Sequence, residues 1–149
     1  MKNTNIGSVS SDTMRPEDLI PSFLWELKRQ KPLKKAHRAL IKDIEERMEA
    51  DDYYESEDSE YDLNESLFDA LDEYAPAYFY FGAHPSDGAD FGFWLREDFE
   101  QEFDGPKVSS SDELPKDYFG EFLIVNDHGN MTLMVRHRNY RVTEIWAVV

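Results

Sequence analysis

Two aromatic runs around a short polar turn constrain this chain more than any other feature. The stretch from Tyr78 to Leu95 reads Y-F-Y-F-G-A-H-P-S-D-G-A-D-F-G-F-W-L. Aromatic side chains suit a pleated surface, and a cluster of Gly, Pro, Asp and Ser between two such runs reverses the chain, so the spacing predicts a β-hairpin. With a period of two, Tyr78 and Tyr80 share one face of the first strand while Phe79 and Phe81 share the other, and both faces need cover. On the return, Phe91, Phe93 and Leu95 lie together, Trp94 lies opposite, and Gly92 leaves room for close packing. If helices leave the tyrosine face open, it becomes a surface for a homodimer or another partner.

The C-terminal stretch predicts a three-stranded antiparallel meander over Glu121–Asn126, Met131–His137 and Tyr140–Val149. Asn126–Asn130 make the first turn and Arg138-Asn139 the second. Tyr140 and Val142 fall out of phase with Ile145, Ala147 and Val149, which predicts a bulge near Thr143. Ahead of the hairpin the pattern is helical. Pro16, Glu17 and Asp18 mark a helix start, and Pro21 leaves two alternatives, one helix from Pro16 to about Gln30 or a turn followed by a helix from Pro21. A second helix runs from Leu33 to about Glu49. A third is capped by Asn64, carries Leu67, Phe68, Leu71 and Tyr74, and ends at Pro76. Phe99 and Phe103 anchor a short fourth, and Lys107–Lys116 reads as loop. The fold class expected is α+β, a mostly antiparallel sheet of about five strands against three or four helices. One domain over residues 1–149 is expected, with 1–12 a disordered tail.

Charge narrows the function. Thirty-two acids against sixteen bases leave a net charge of -16, which repels phosphate backbones and anionic lipid, so direct nucleic-acid or membrane binding is disfavoured. With no cysteine there is no disulfide and no thiolate metal site. The Met-Lys-Asn-Thr-Asn start lacks the apolar core of a signal peptide and no stretch is long and apolar enough to span a bilayer, so a cytosolic protein is expected.

The charges are segregated. Lys28, Arg29, Lys31, Lys34, Lys35, Arg38 and Lys42 form a run without acids, while Asp43–Glu73 holds fifteen acids and one base, Arg47. Within the latter, 51–62 (D-D-Y-Y-E-S-E-D-S-E-Y-D) has no clean period and reads as a mobile acidic loop. Its Asp51, Asp52, Glu55, Glu57, Asp58, Glu60 and Asp62 present closely spaced carboxylates, and Tyr53, Tyr54 and Tyr61 add rings able to anchor an interface. These ten residues are the expected partner-binding set. The plainer reading is a solvated segment that keeps an interaction module soluble, with Lys34, Lys35, Arg38 and Lys42 folded against it and Arg136, Arg138 and Arg141 competing for the same carboxylates.

The most enzyme-like grouping is His84, Asp87 and Asp90 in the hairpin turn with Asp127 and His128 in the meander turn. If the two turns share one end of a sheet, the five suit a divalent metal and a metal-assisted hydrolase; otherwise they are turn formers. No phosphate loop, nucleophile elbow or calcium-loop spacing occurs, and no cofactor is expected. His37 and His137 read as surface residues, and Trp25, Trp94 and Trp146 as core or edge packing.

L-F-D-A-L-D-E-Y-A-P (Leu67–Pro76), Y-F-G-A-H-P-S-D-G-A-D-F-G-F-W (Tyr80–Trp94), V-N-D-H-G-N-M-T-L (Val125–Leu133) and the closing E-I-W-A-V-V resemble small uncharacterised proteins of bacteriophages and other mobile elements. The resemblance covers about the C-terminal half and carries no catalytic motif. It implies a viral or mobile-element setting, in which small acidic proteins often bind a host protein. The expected function is therefore capture and inhibition of a host protein with a basic surface by DNA mimicry, as antirestriction and some anti-CRISPR proteins act, with the hydrolase and the solubilised module as alternatives.

Overall fold

A computed structural model of the chain describes residues 5–148. The fold is α+β, with two mostly antiparallel sheets and helices before and between them. In chain order these are β1 (Gly7–Ser10), α1 (Pro16–Lys28), α2 (Lys35–Arg47), a 3-10 turn (Tyr53–Glu55), α3 (Glu57–Tyr61), a π-helical turn (Asp62–Leu67), α4 (Phe68–Asp72), and the hairpin β2 (Phe79–His84) and β3 (Asp87–Leu95). After the hairpin come α5 (Phe99–Glu102), β4 (Lys107–Val108), a 3-10 turn (Ser111–Glu113), β5 (Gly120–Val125), β6 (Met131–Arg136) and β7 (Val142–Val148). The chain gathers into two compact units: Asn5–Ala75 with Phe79–Leu95, and Pro76–Tyr78 with the chain from Arg96 onward.

The first unit is built on the hairpin. Phe81 opposes Phe93 and Ala83 opposes Phe91 across the β2–β3 ladder, so the phenylalanine face is continuous. Phe23 of α1 and Phe68 of α4 close over it, with ring centroids 5.1 Å from Phe23 to Phe81 and 5.7 Å from Phe68 to Phe91. Burying each such ring contributes roughly 1.5–3 kcal/mol, and edge-on pairs add about 0.5–1.5 kcal/mol. On the opposite face Tyr80 and Trp94 are half-buried; their polar atoms donate to the carbonyls of Ala83 and Gly82.

The strand order is β1-β3-β2. β1 lies inside the stretch expected to be a disordered tail. Gly7–Ser10 instead pair antiparallel with β3, and Gly92 is what admits them: a Cβ there would run into the Gly7 carbonyl and the Ser8 Cα. Residues 1–4 of that tail lie outside the described residues.

α1 is one helix from Pro16. Pro21 sits on its exposed face, so the hydrogen bond that proline cannot make is lost on the solvent side. The buried stripe is Leu19, Ile20, Phe23, Leu24 and Leu27, and Trp25 falls on the other side of the cylinder. It is 68% exposed, a correction to its expected packing role. Trp146 is fully buried and Trp94 half-buried.

The second unit holds the predicted meander in the order β4-β5-β6-β7. Leu123 pairs with Leu133 and Leu133 with Trp146, placing all three in the core. The irregularity in β7 falls at Ile145, between the residues facing Leu133 and Met134, two positions from the expected Thr143. Trp146 packs on Phe99 at 5.3 Å and donates its indole N–H to the Ala77 carbonyl. Phe99 and Phe103 are both buried, as their spacing predicts. The stretch read as loop, Lys107–Lys116, carries β4, which pairs parallel with β5. The hairpin and the meander therefore belong to separate sheets, each extended by a short strand. Val149 lies outside the described residues.

Candidate interaction site

The acidic stretch 51–62 is folded, which corrects its reading as an irregular loop. Ser56 starts α3: its hydroxyl accepts from the Ser59 amide at 3.2 Å, and the Ser59 hydroxyl donates to the Ser56 carbonyl at 2.8 Å. Glu57, Asp58 and Glu60 fill the first turn, where carboxylates interact favourably with the positive end of the helix. Helical structure then continues through the π turn into α4, so Asn64 lies inside a helical run and caps nothing.

Two of the ten residues expected at an interface are internal. Asp62 is 3% exposed and accepts from Arg47 Nε at 3.0 Å, Arg47 Nη2 at 2.7 Å and the Tyr53 hydroxyl at 2.8 Å. Tyr53 is 3% exposed; burial, then its bond to Asp62, push the phenol far above its ordinary range. The hydrogen bond to Asp62 likewise raises the Arg47 pKa. These side chains pin the acidic run to α2. Tyr54 is half-buried with its ring 5.1 Å from Tyr53, and burial raises its pKa too.

Asp51, Asp52, Glu55, Glu57, Asp58, Glu60 and Tyr61 are exposed, the last at 64%. Among the described residues none of the six carboxylates is ion-paired to a lysine or arginine. The helical run adds two more exposed carboxylates, Glu65 and Asp69, four and eight residues after Tyr61. Glu57, Asp58, Glu60, Glu65 and Asp69 are thus five exposed carboxylates along one helical run. The four-residue steps from Tyr61 are the sequence signal that extends the set beyond Asp62.

The basic run is used elsewhere. Lys28 pairs with Glu45 at 2.9 Å, and Lys34 with Glu73 at 2.7 Å. Lys35, Arg38 and Lys42 are exposed, and none pairs with the six carboxylates. Arg136 donates to backbone carbonyls and Arg138 lies over the Phe119 ring.

His37, read as a surface residue, is buried between two partners. Its Nδ1 is 2.8 Å from the Tyr74 hydroxyl and its Nε2 is 2.7 Å from Glu73 Oε2. The signal was its place with Ile41 and Ile44 at i, i+4 and i+7, the buried stripe of α2. Hydrogen bonds from Lys34 first, then His37, hold the Glu73 carboxyl below the usual range, and the same pair raises Lys34.

The five candidate metal ligands are engaged locally. His84 Nδ1 accepts from the Ser86 amide, and its ring lies 4.7 Å from Trp94. Asp87 accepts from the Ala89 amide and Asp90 from the Ser8 hydroxyl. In the meander turn Asn126 holds the His128 and Asn130 amides, leaving Asp127 and His128 exposed at the tip. Among the described residues no three His, Asp or Glu side chains are grouped to hold a metal ion, so the hydrolase alternative gains no ligand set.

No protein-family model, curated protein or solved structure shows significant similarity to the chain. Among the described residues no helix is long and apolar enough to cross a membrane.

Proposed function

We propose that the chain is a binding module that presents the acidic helical ridge to a basic protein surface that otherwise meets nucleic acid, and thereby inhibits that protein. The setting is the host cytosol of a phage or mobile element, as the sequence resemblance implies. One observation carries the reading: exposed carboxylates are held on a capped and pinned helical frame, and among the described residues none of the six is ion-paired to a lysine or arginine. A solubilising stretch needs charge alone and gains nothing from a frame. Its exposed carboxylates would displace counterions from a basic groove as a phosphate backbone does.

The test replaces Asp51, Asp52, Glu55, Glu57, Asp58 and Glu60 together by Ser or Asn and compares capture from host lysate at low and high salt. The unaltered chain captures a nucleic-acid-binding protein at low salt, releases it as salt rises, and competes with that protein's nucleic acid. Capture unchanged by the six substitutions ends the proposal.

A further inference from the structure

The second unit carries a concentration of positive charge in a chain of net charge -16. Lys116, Arg136, Arg138 and Arg141 lie on or beside the β6–β7 turn and the segment that faces it, and among the described residues none is paired with a carboxylate. Arg136 is fixed by neutral acceptors. Its guanidinium donates to the carbonyls of Pro115 at 2.9 Å, Tyr118 at 3.3 Å and Ser111 at 3.3 Å, so the group is held rigidly while its charge stays uncancelled.

Beside it a cavity of about 340 Å³ is lined by Ser111, Asp112, Lys116, Arg136, Tyr140 and Val142. That volume is at the small end of the roughly 300–1,000 Å³ typical of small-molecule sites. Tyr140 is 63% exposed and adopts a left-handed backbone, φ 69°, which aromatic residues seldom take without a compensating role. The turn that imposes this conformation is closed by the Tyr140 amide on the His137 carbonyl at 2.9 Å and the His137 amide on the Arg141 carbonyl at 2.8 Å. The Tyr140 ring meets Phe119 edge-on at 5.2 Å, and Arg138 lies over the Phe119 ring at 5.6 Å.

We propose that this cavity binds a free nucleoside monophosphate: the base stacks on Tyr140, the phosphate meets Lys116 and Arg136, and Ser111 and Asp112 take hydroxyl or base N–H groups. The proposal goes beyond the acidic ridge and shares no residue with it. Each part of the ligand has a counterpart of matching chemistry, an aromatic platform for a base and, for a phosphate, the fixed Arg136 guanidinium with the exposed Lys116 ammonium beside it. A free mononucleotide is favoured over a strand. Strand binding tracks several phosphates along a positive groove, whereas Asp112 at this site and Glu113 and Asp117 next to it oppose each further phosphate.

The experiment titrates the full chain with AMP, GMP, CMP and UMP and follows backbone amide resonances, with adenosine, inorganic phosphate and a short single-stranded oligonucleotide as parallel arms. At least one mononucleotide is expected to shift the amides of 111–114, 116 and 136–142 to saturation, with adenosine and phosphate each binding at least about tenfold more weakly. Tyr140→Asn, which keeps the left-handed backbone accessible, and Lys116→Gln should each weaken binding about tenfold while the rest of the spectrum is unchanged. Four results overturn the proposal: no mononucleotide shifts these amides; both variants bind as the parent does; phosphate alone binds as well as the nucleotide, leaving only an anion patch; or the oligonucleotide binds more tightly than any mononucleotide.

Discussion

The Asp62 carboxylate receives Nε and Nη2 of Arg47 across fifteen residues of chain, at 3.0 and 2.7 Å, and is itself almost fully enclosed. This one pair joins the most acidic part of the sequence to the end of α2. Arg47→Met strands the buried Asp62 carboxylate and should cost roughly 2–3 kcal/mol, whereas Asp62→Ala leaves a guanidinium 37% exposed that water can solvate and should cost less, about 1–2 kcal/mol. Urea denaturation checks this. Unchanged midpoints would mean the pair does not hold the acidic run in place.

The ridge itself should behave in the opposite way. Glu65 and Asp69 follow a series of like charges and approach the negative end of the helix, so Glu65→Gln and Asp69→Asn should stabilise the fold by a few tenths of a kcal/mol, about 0.2–0.5 each. The same substitutions should weaken partner capture. Thermal melts beside the capture assay separate a surface kept for binding from one kept for folding.

Gly92→Ala should destabilise the first unit, because β1 passes where the methyl group would be and the obstructing atoms are backbone. A loss of about 1–3 kcal/mol is expected, with amide exchange fastest at Gly7–Ser10. Gly88→Ala, where nothing lies within 4 Å, is the matched control and should be nearly neutral.

Acid stability should respond to Glu73. Its carboxyl is held below the ordinary range by Lys34 and His37, so the unfolded chain takes up its proton first as pH falls. The contribution is complete above the ordinary glutamate pKa of about 4.3 and is lost as pH drops through the lower, folded value. Glu73→Gln should therefore lower stability near neutrality and flatten the acid limb. Urea midpoints measured from neutral to strongly acidic pH give both quantities, and an unaltered slope would contradict the assignment.

Where side chains alternated by chemistry, the sequence predicted the fold well. Met131, Leu133 and Val135 against Thr132, Met134 and Arg136 located β6, and the phenylalanines of β2 and β3 located the hairpin. The acidic helix was hidden because two of its buried positions are Ser59 and Asp62, which look like surface residues until Arg47 and Tyr53 are seen to satisfy Asp62. β1 was hidden for another reason: Gly-Ser-Val-Ser has little strand preference, and its place is fixed by a partner more than eighty residues away, at Gly92. His37 looks like a surface residue taken alone, and only its spacing to Ile41 and Ile44 places it on the inner face of α2. Six carboxylates of the candidate site were legible by charge alone; Glu65 and Asp69 required knowing that one helical run continues past Asp62.

Pro76–Tyr78 belong to the second unit although the chain on either side of them, through Ala75 and from Phe79, belongs to the first. A severed backbone at Ala75, Tyr78 or Leu95 therefore yields no fragment pair in which both halves are whole. Neither half is a detachable cassette, and truncation at a single boundary would remove from one of them a piece that it supplies only by interrupting the other.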